Sequence, residues 1–173
     1  MHPLRDMLAQ ALLDSGRIDE GAAVYAEIEA QAADDFPLLQ LMARFYHRAK
    51  RGYDAERCLV RMGTINPTHA PVYADLAHLY SDFGEYARAI EVARDGLRLQ
   101  PDSTALLNLL ANSQLNHGLV DDALQSYRRI IALAPHMAFV HYSLLLAMHY
   151  GSEIDPAELK AEIQRRIGGY ADP

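Results

Sequence analysis

Residues 70–103 read APVYADLAHLYSDFGEYARAIEVARDGLRLQPDS, and the rest of the chain falls into register with this stretch. It carries Tyr73, Leu76, Ala77 and Tyr80, then Gly84, Tyr86 and Ala89, and closes on Pro101. Similar residues recur at steps of 34 on either side. Gly16, Gly84 and Gly118 share one phase, with Lys50 in the remaining slot; Gly21, Ala55, Ala89 and Ala123 share a second. Ala9, Ala43, Ala77 and Ala111 form a third phase, and Pro67, Pro101 and Pro135 a fourth. Each phase has a physical task. Glycine relieves backbone crowding at a tight turn. Small residues let two helices approach, where a larger side chain would overpack the contact at a cost of about 1–3 kcal/mol. Proline lacks an N–H and clashes with the preceding turn, so it ends a helix. Each unit therefore holds a first helix of about 14 residues, a turn and a second helix. The units run 2–35, 36–69, 70–103 and 104–137, and a fifth starts at Ala138 and leaves the pattern after Tyr150.

These residues resemble the tetratricopeptide repeat (TPR) family, whose period is 34, over residues 2 to about 150. The resemblance implies an all-α fold, a right-handed superhelix of antiparallel helix pairs (an α-α solenoid) with four repeats and a C-terminal capping helix pair. Residues 1–167 are expected to form one domain and 168–173 a loose tail. Repeat 1 departs from the pattern with Gly21 for the small alanine and Ala33 for the proline. Repeat 2 has Gly52 where an aromatic is usual, which predicts an irregular turn. Asp155-Pro156-Ala157-Glu158 reads as a helix start, with Asp as N-cap, Pro at the first helical position and Glu three after the cap. Leu159, Ile163 and Ile167 then give the single apolar face of a terminal solenoid helix.

Composition narrows the function. The 173 residues are 50% apolar and carry a net charge of −7, which argues against nucleic acid as a partner. No run of about 18 apolar residues is present, so no membrane insertion is expected. The charged start Met1-His2-Pro3-Leu4-Arg5-Asp6 is unlike a signal peptide, and Cys58 is the sole cysteine. These features predict a cytoplasmic protein. No nucleophile elbow, phosphate loop or HExxH spacing occurs, so the chain is expected not to be an enzyme and to need no cofactor. His47 and His78 lie in adjacent repeats and face one another in the predicted register, but the spacing shows no recognised metal motif and no metal site is expected. Asp34-Asp35 and Asp121-Asp122 fall at repeat turns and read as caps.

The four phases use up the faces of each first helix that pack. A further stripe remains at spacings of 3, 4 and 3, which places it on one helical face. It comprises Pro3, Asp6, Gln10 and Leu13; Pro37, Gln40, Arg44 and His47; Pro71, Ala74, His78 and Ser81; Ala105, Asn108, Asn112 and Leu115; and Phe139, Tyr142, Leu146 and His149. In the family this stripe lines the concave groove, which implies peptide binding there. Asn108 and Asn112 are poor helix formers placed one turn apart, and an amide both donates and accepts, which suits an extended peptide backbone. Arg44 and Arg48 share a face and suit a carboxylate, unless Asp14 and Asp82 pair with this basic face. Aromatic residues at the far end, Tyr142 among them, supply contact area. The candidate groove residues are therefore Gln40, Arg44, His47, Arg48, His78, Asn108, Asn112 and Tyr142, with an extended or acidic segment of another protein as partner. The apolar residues Leu4, Met7, Leu8 and Ala11 add self-association through the N-terminal repeat.

A narrower resemblance lies at the end of the array. His141-Tyr142-Ser143-Leu144-Leu145-Leu146-Ala147-Met148-His149-Tyr150, followed by Glu153-Ile154-Asp155-Pro156, resembles the junction between TPR array and catalytic domain in bacterial O-linked N-acetylglucosamine transferase-like proteins. Ser143 stands where those have Asn, and Ile163 where they usually have His. The sequence ends at Pro173 without a nucleotide-sugar-binding domain, so transferase activity is not carried over. The resemblance implies an acceptor-recognition arm, either part of such an enzyme or acting beside one. Size and acidity fit a third class, the small secretion chaperones.

Overall fold

The computed structural model describes residues 2–29 and 34–150. Among them are nine α-helices and no strand: α1 (His2–Asp14), α2 (Ile18–Glu29), α3 (Phe36–Arg48), α4 (Gly52–Ile65), α5 (Ala70–Asp82), α6 (Tyr86–Leu99), α7 (Thr104–Asn116), α8 (Val120–Leu133) and α9 (Ala138–Tyr150). The odd-numbered helices begin at 2, 36, 70, 104 and 138 and the even-numbered ones at 18, 52, 86 and 120, so every start keeps the 34-residue step. The capping helix expected after Asp155, the tail after Gly168 and the Ala33 position lie outside the described residues.

The turns explain this regularity. Gly16, Gly84 and Gly118 adopt φ of 79°, 77° and 86°, and Lys50 adopts 58° at the same repeat position. A left-handed residue lets the N–H groups that follow a helix turn back onto its last carbonyls. Arg17, Arg51 and Leu119 donate to the carbonyls of Leu12, Tyr46 and Gln114 at 2.8, 2.9 and 2.8 Å. The turn of repeat 2 is therefore regular, contrary to the expectation from Gly52. Gly52 serves packing instead: a Cβ there would lie 3.0 Å from the Phe83 ring. Helix starts are secured by side chains where the sequence allows. Asp35 accepts from Leu38 N at 3.1 Å and Ser103 from Leu106 N at 3.4 Å. The carbonyls of the helix-ending prolines also find donors: Tyr73 Oη to Pro67, Arg129 Nη2 to Pro101 and His141 Nε2 to Pro135, at 2.8, 2.7 and 2.7 Å.

The chain divides between Phe83 and Gly84 into two compact units. In the first, α1 packs on α2, α3 on α1, α2 and α4, and α4 on α5. Its core holds Tyr25, Leu38, Leu39, Met42, Phe45, Cys58 and Met62, all fully buried or nearly so. Burial pushes the Cys58 thiol up to about 11, so it stays protonated and acts as a small apolar filler. In the second unit α6 packs on α7, α7 on α8 and α8 on α9. Leu107, Ala111, Ala123, Leu124, Tyr127, Ile130, Val140 and Leu144 form its core. The small-residue phases sit at the helix contacts as their spacing requires: Ala9, Ala55, Ala77, Ala89, Ala111 and Ala123 expose no surface at all.

Candidate functional site

None of the twenty stripe positions is buried. Along α3 and α5 the stripe exposes Gln40, Arg44 and His78, while His47 is half-buried. A recess of about 50 Å³ lies between these helices, lined by Gln40, Arg44, His47, Asp75 and His78, with Leu59 of α4 as part of its wall. Asp75 keeps an open edge, yet the surrounding protein strips water from its carboxyl and raises its pKa; the charges of His78, His47, His69 and Arg44 oppose the shift.

The two arginines of the stripe differ in what they do. Arg48 donates to Asp14 Oδ1 at 2.7 Å and also to Gln10 Oε1, so its guanidinium ties α3 to α1. Arg44 makes no hydrogen bond or ion pair among the described residues, although its charge acts on Asp75. The paired-arginine clamp expected from sequence thus reduces to Arg44 alone. The pairing partners expected for the basic face are present: Asp14 holds Arg48, and Asp82 Oδ2 lies 2.9 Å from His47 Nε2. His78 Nε2 lies 3.9 Å from the other oxygen of Asp82, and the two imidazole rings stand edge to face at 5.2 Å. The predicted approach of His47 and His78 is therefore real, and Asp82 is its third member.

In the second unit Asn108 and Asn112 lie one turn apart on α7, both half-buried. The hydroxyl of Tyr127 on α8 donates to Asn112 Oδ1 at 2.6 Å. Burial raises the Tyr127 phenol to about 12, so it remains a donor across the physiological range. With its oxygen accepting from Tyr127, Asn112 keeps its NH₂ as a donor. Asn108 Oδ1 is buried and has no hydrogen-bond partner among the described residues. The equivalent tyrosine three repeats earlier, Tyr25, reaches the stripe in the same way and donates to Asp6 Oδ1. Neither tyrosine was singled out from sequence; both sit on second helices, whose inward reach only the packing reveals. Asn116 ends α7. On α9 Phe139, Tyr142 and Tyr150 are exposed, Tyr142 at 70%.

Helix pairs stepping by 34 residues, each leaving one stripe of its first helix unpacked, define an α-solenoid of two-helix repeats. Residues 74–138 match the family model described as tetratricopeptide repeat, and this stretch of the chain carries the repeat. No curated protein matches the sequence. Three of the solved structures similar in fold illustrate the likeness. MamA from Desulfovibrio magneticus RS-1 (residues 41 to the end) is 14% identical, with a TM-score of 0.76 over 98% of this chain and 96% of that one. The Thermobaculum terrenum O-GlcNAc transferase, as a K341M mutant, is 24% identical, with a TM-score of 0.66 over 83% of this chain and 28% of the enzyme. The first TPR of Spaghetti (RPAP3), bound to the HSP90 peptide SRMEEVD, is 15% identical, with a TM-score of 0.62 over 66% of this chain and 90% of that one. Among the described residues no helix is long and apolar enough to cross a membrane.

Proposed function

We propose that this protein is a non-enzymatic interaction scaffold whose stripe of first-helix residues holds an extended segment of a partner protein. The observation that carries this reading is the asparagine pair on α7. Asn108 has an amide oxygen without a donor among the described residues, and Asn112, whose oxygen accepts from Tyr127, has its NH₂ left to donate one turn away. A peptide unit offers one donor and one acceptor, so its backbone satisfies both groups whatever its side chains. An acceptor left unmade costs about 1–3 kcal/mol; rotation of the half-buried Asn108 side chain would bring its oxygen to the stripe surface, where a bound segment would supply the donor. In the first unit, Arg44 and Gln40 offer an exposed cation and an amide beside the recess, which favours a carboxylate in the bound segment. The similar RPAP3 domain holds SRMEEVD, a peptide with three acidic residues.

The test is a titration with peptides selected on the protein from a random library. Asn108→Ala combined with Asn112→Ala is expected to weaken binding at least tenfold, and Arg44→Ala to weaken acidic peptides selectively. Affinity retained within threefold by the double asparagine variant overturns the reading.

A second reading is an acceptor-recognition arm that works with a glycosyltransferase. It draws on the likeness to the T. terrenum enzyme and on the His141–Tyr150 run of α9. Its test is whether the chain captures a glycosyltransferase, or its acceptor proteins, by cross-linking in the native host. Capture of neither removes it.

A further inference from the structure

We propose that His47, His78 and Asp82 form a binding site for a divalent transition-metal ion of the zinc type. Their ligand atoms all lie within 4.8 Å of one another. His78 and Asp82 are four residues apart on α5, the spacing that sets two side chains over one another on a helix face. His47 comes from the last turn of α3. Two helices of the same unit thus supply one site.

The distances suit the chemistry. Zinc binds imidazole nitrogen and carboxylate oxygen at about 2.0–2.2 Å, so tetrahedral ligand atoms sit about 3.3 Å apart. His47 Nε2 lies 2.9 Å from Asp82 Oδ2 and His78 Nε2 lies 3.9 Å from Asp82 Oδ1; one oxygen would serve both in a tetrahedral set, and the three ligand atoms already lie within 4.8 Å of one another. His78 and Asp82 are both partly exposed, with side-chain exposures of 56% and 38%, and side-chain torsions alone can close the gap. The edge-to-face imidazoles already direct two Nε2 atoms toward one carboxylate.

The donor set selects the ion. Two imidazoles and one carboxylate are a borderline set, preferred by Zn²⁺, Co²⁺ or Ni²⁺ over Mg²⁺ and Ca²⁺, which want oxygen ligands. The surroundings are near neutral in charge: Arg44 opposes a cation and Asp75 in the adjoining recess offsets it. Three protein ligands leave one tetrahedral position for water or for a donor from outside. Two of its ligands, His47 and His78, belong to the stripe, so that fourth donor can come from a bound protein segment. The proposal itself does not depend on one.

The sequence alone points away from this site, because a His-x3-Asp pair on one helix and a lone His on another make no HExxH or Cys/His spacing. The deciding residue is Asp82, which reads from sequence only as a counter-charge.

The experiment is a Zn²⁺ titration of the tag-free chain by calorimetry, paralleled by Co²⁺ absorption, whose intense visible bands report a tetrahedral site. One saturable site per chain is expected. Asp82→Asn, which keeps the side chain's shape, and His78→Ala should each weaken it at least threefold and abolish the cobalt bands. His149→Ala, an exposed histidine of the second unit, should leave both readings unchanged. Helical circular dichroism confirms that each variant is folded. Absence of saturable binding, or affinity within threefold of the parent in both Asp82→Asn and His78→Ala, overturns the proposal.

Discussion

Lys50 occupies a position where its three counterparts are glycine, and it keeps their left-handed φ. A side chain there strains against the following carbonyl by about 1–2 kcal/mol, against which glycine's extra unfolded-state entropy of about 0.4–1 kcal/mol must be set. Lys50→Gly should therefore stabilise the protein by ~0.5–1 kcal/mol, read as a rise in denaturant midpoint. Gly118→Ala should do the reverse, although nothing lies within 4 Å of the added methyl, because conformation and not space is the constraint. The asparagines of α7 give a second contrast. Asn108→Ala removes an orphan acceptor and a poor helix former, so stability should hold or rise by ~0.5 kcal/mol. Asn112→Ala strips Tyr127 of its acceptor and should destabilise by about 1–3 kcal/mol, and Tyr127→Phe in that background should restore most of the loss. Thermal unfolding of the three variants checks the order; equal losses in both asparagine variants would refute it. At this scale the stripe was legible from spacing, since none of its positions is buried. The division of labour within it was not: Arg48 is bound by Asp14 and Gln10 on α1, and a single-helix pattern cannot show a partner from another helix.

Glycine at position 21 shows how one element adjusts to its neighbour. The residue appears from sequence as a weakened match, because the equivalents Ala55, Ala89 and Ala123 keep a methyl. In the fold a Cβ at Gly21 would stand 2.8 Å from the Phe45 ring and 3.1 Å from the Ala9 carbonyl. Phe45 is fully buried and meets Tyr25 edge to face at 5.1 Å, so it has no room to withdraw. Repeat 1 thus gives up a methyl to admit a larger ring from α3. Gly21→Ala should cost about 1–3 kcal/mol as overpacking. Combined with Phe45→Leu it should cost less than the sum, a coupling that a double-mutant cycle measures. Additive effects would mean that the ring and the glycine do not oppose one another. The starts of the first helices among the described residues were legible in the sequence, since a fixed period leaves them no freedom. Substitutions within the period were misread where they compensate a distant residue, as Gly52 does for Phe83 and Gly21 does for Phe45.

At the level of the molecule, the repeat register shows which surface of α1 is left open. Leu4 is 76% exposed, whereas Leu38, Val72, Leu106 and Val140 at the same repeat position are at most 1% exposed. Leu8 is 52% exposed, against at most 8% for Met42, Leu76, Leu110 and Leu144. In later repeats this face is covered, and on α1 nothing among the described residues covers it. Met7, at 66% exposure, widens the patch. Burying two leucines is worth about 1.5–3 kcal/mol each, enough to favour a covering surface of the kind the chain already builds four times over. A second copy supplies such a surface, so the chain is expected to self-associate through α1. Light scattering across a hundredfold range of concentration should show mass rising toward a multiple of the 173-residue chain. Leu4→Glu with Leu8→Glu should hold the protein at monomer mass while its helical content is kept, because charges at an exposed face leave the core untouched. If the parent stays monomeric throughout, or the double variant associates equally well, the exposed face of α1 is not where copies meet.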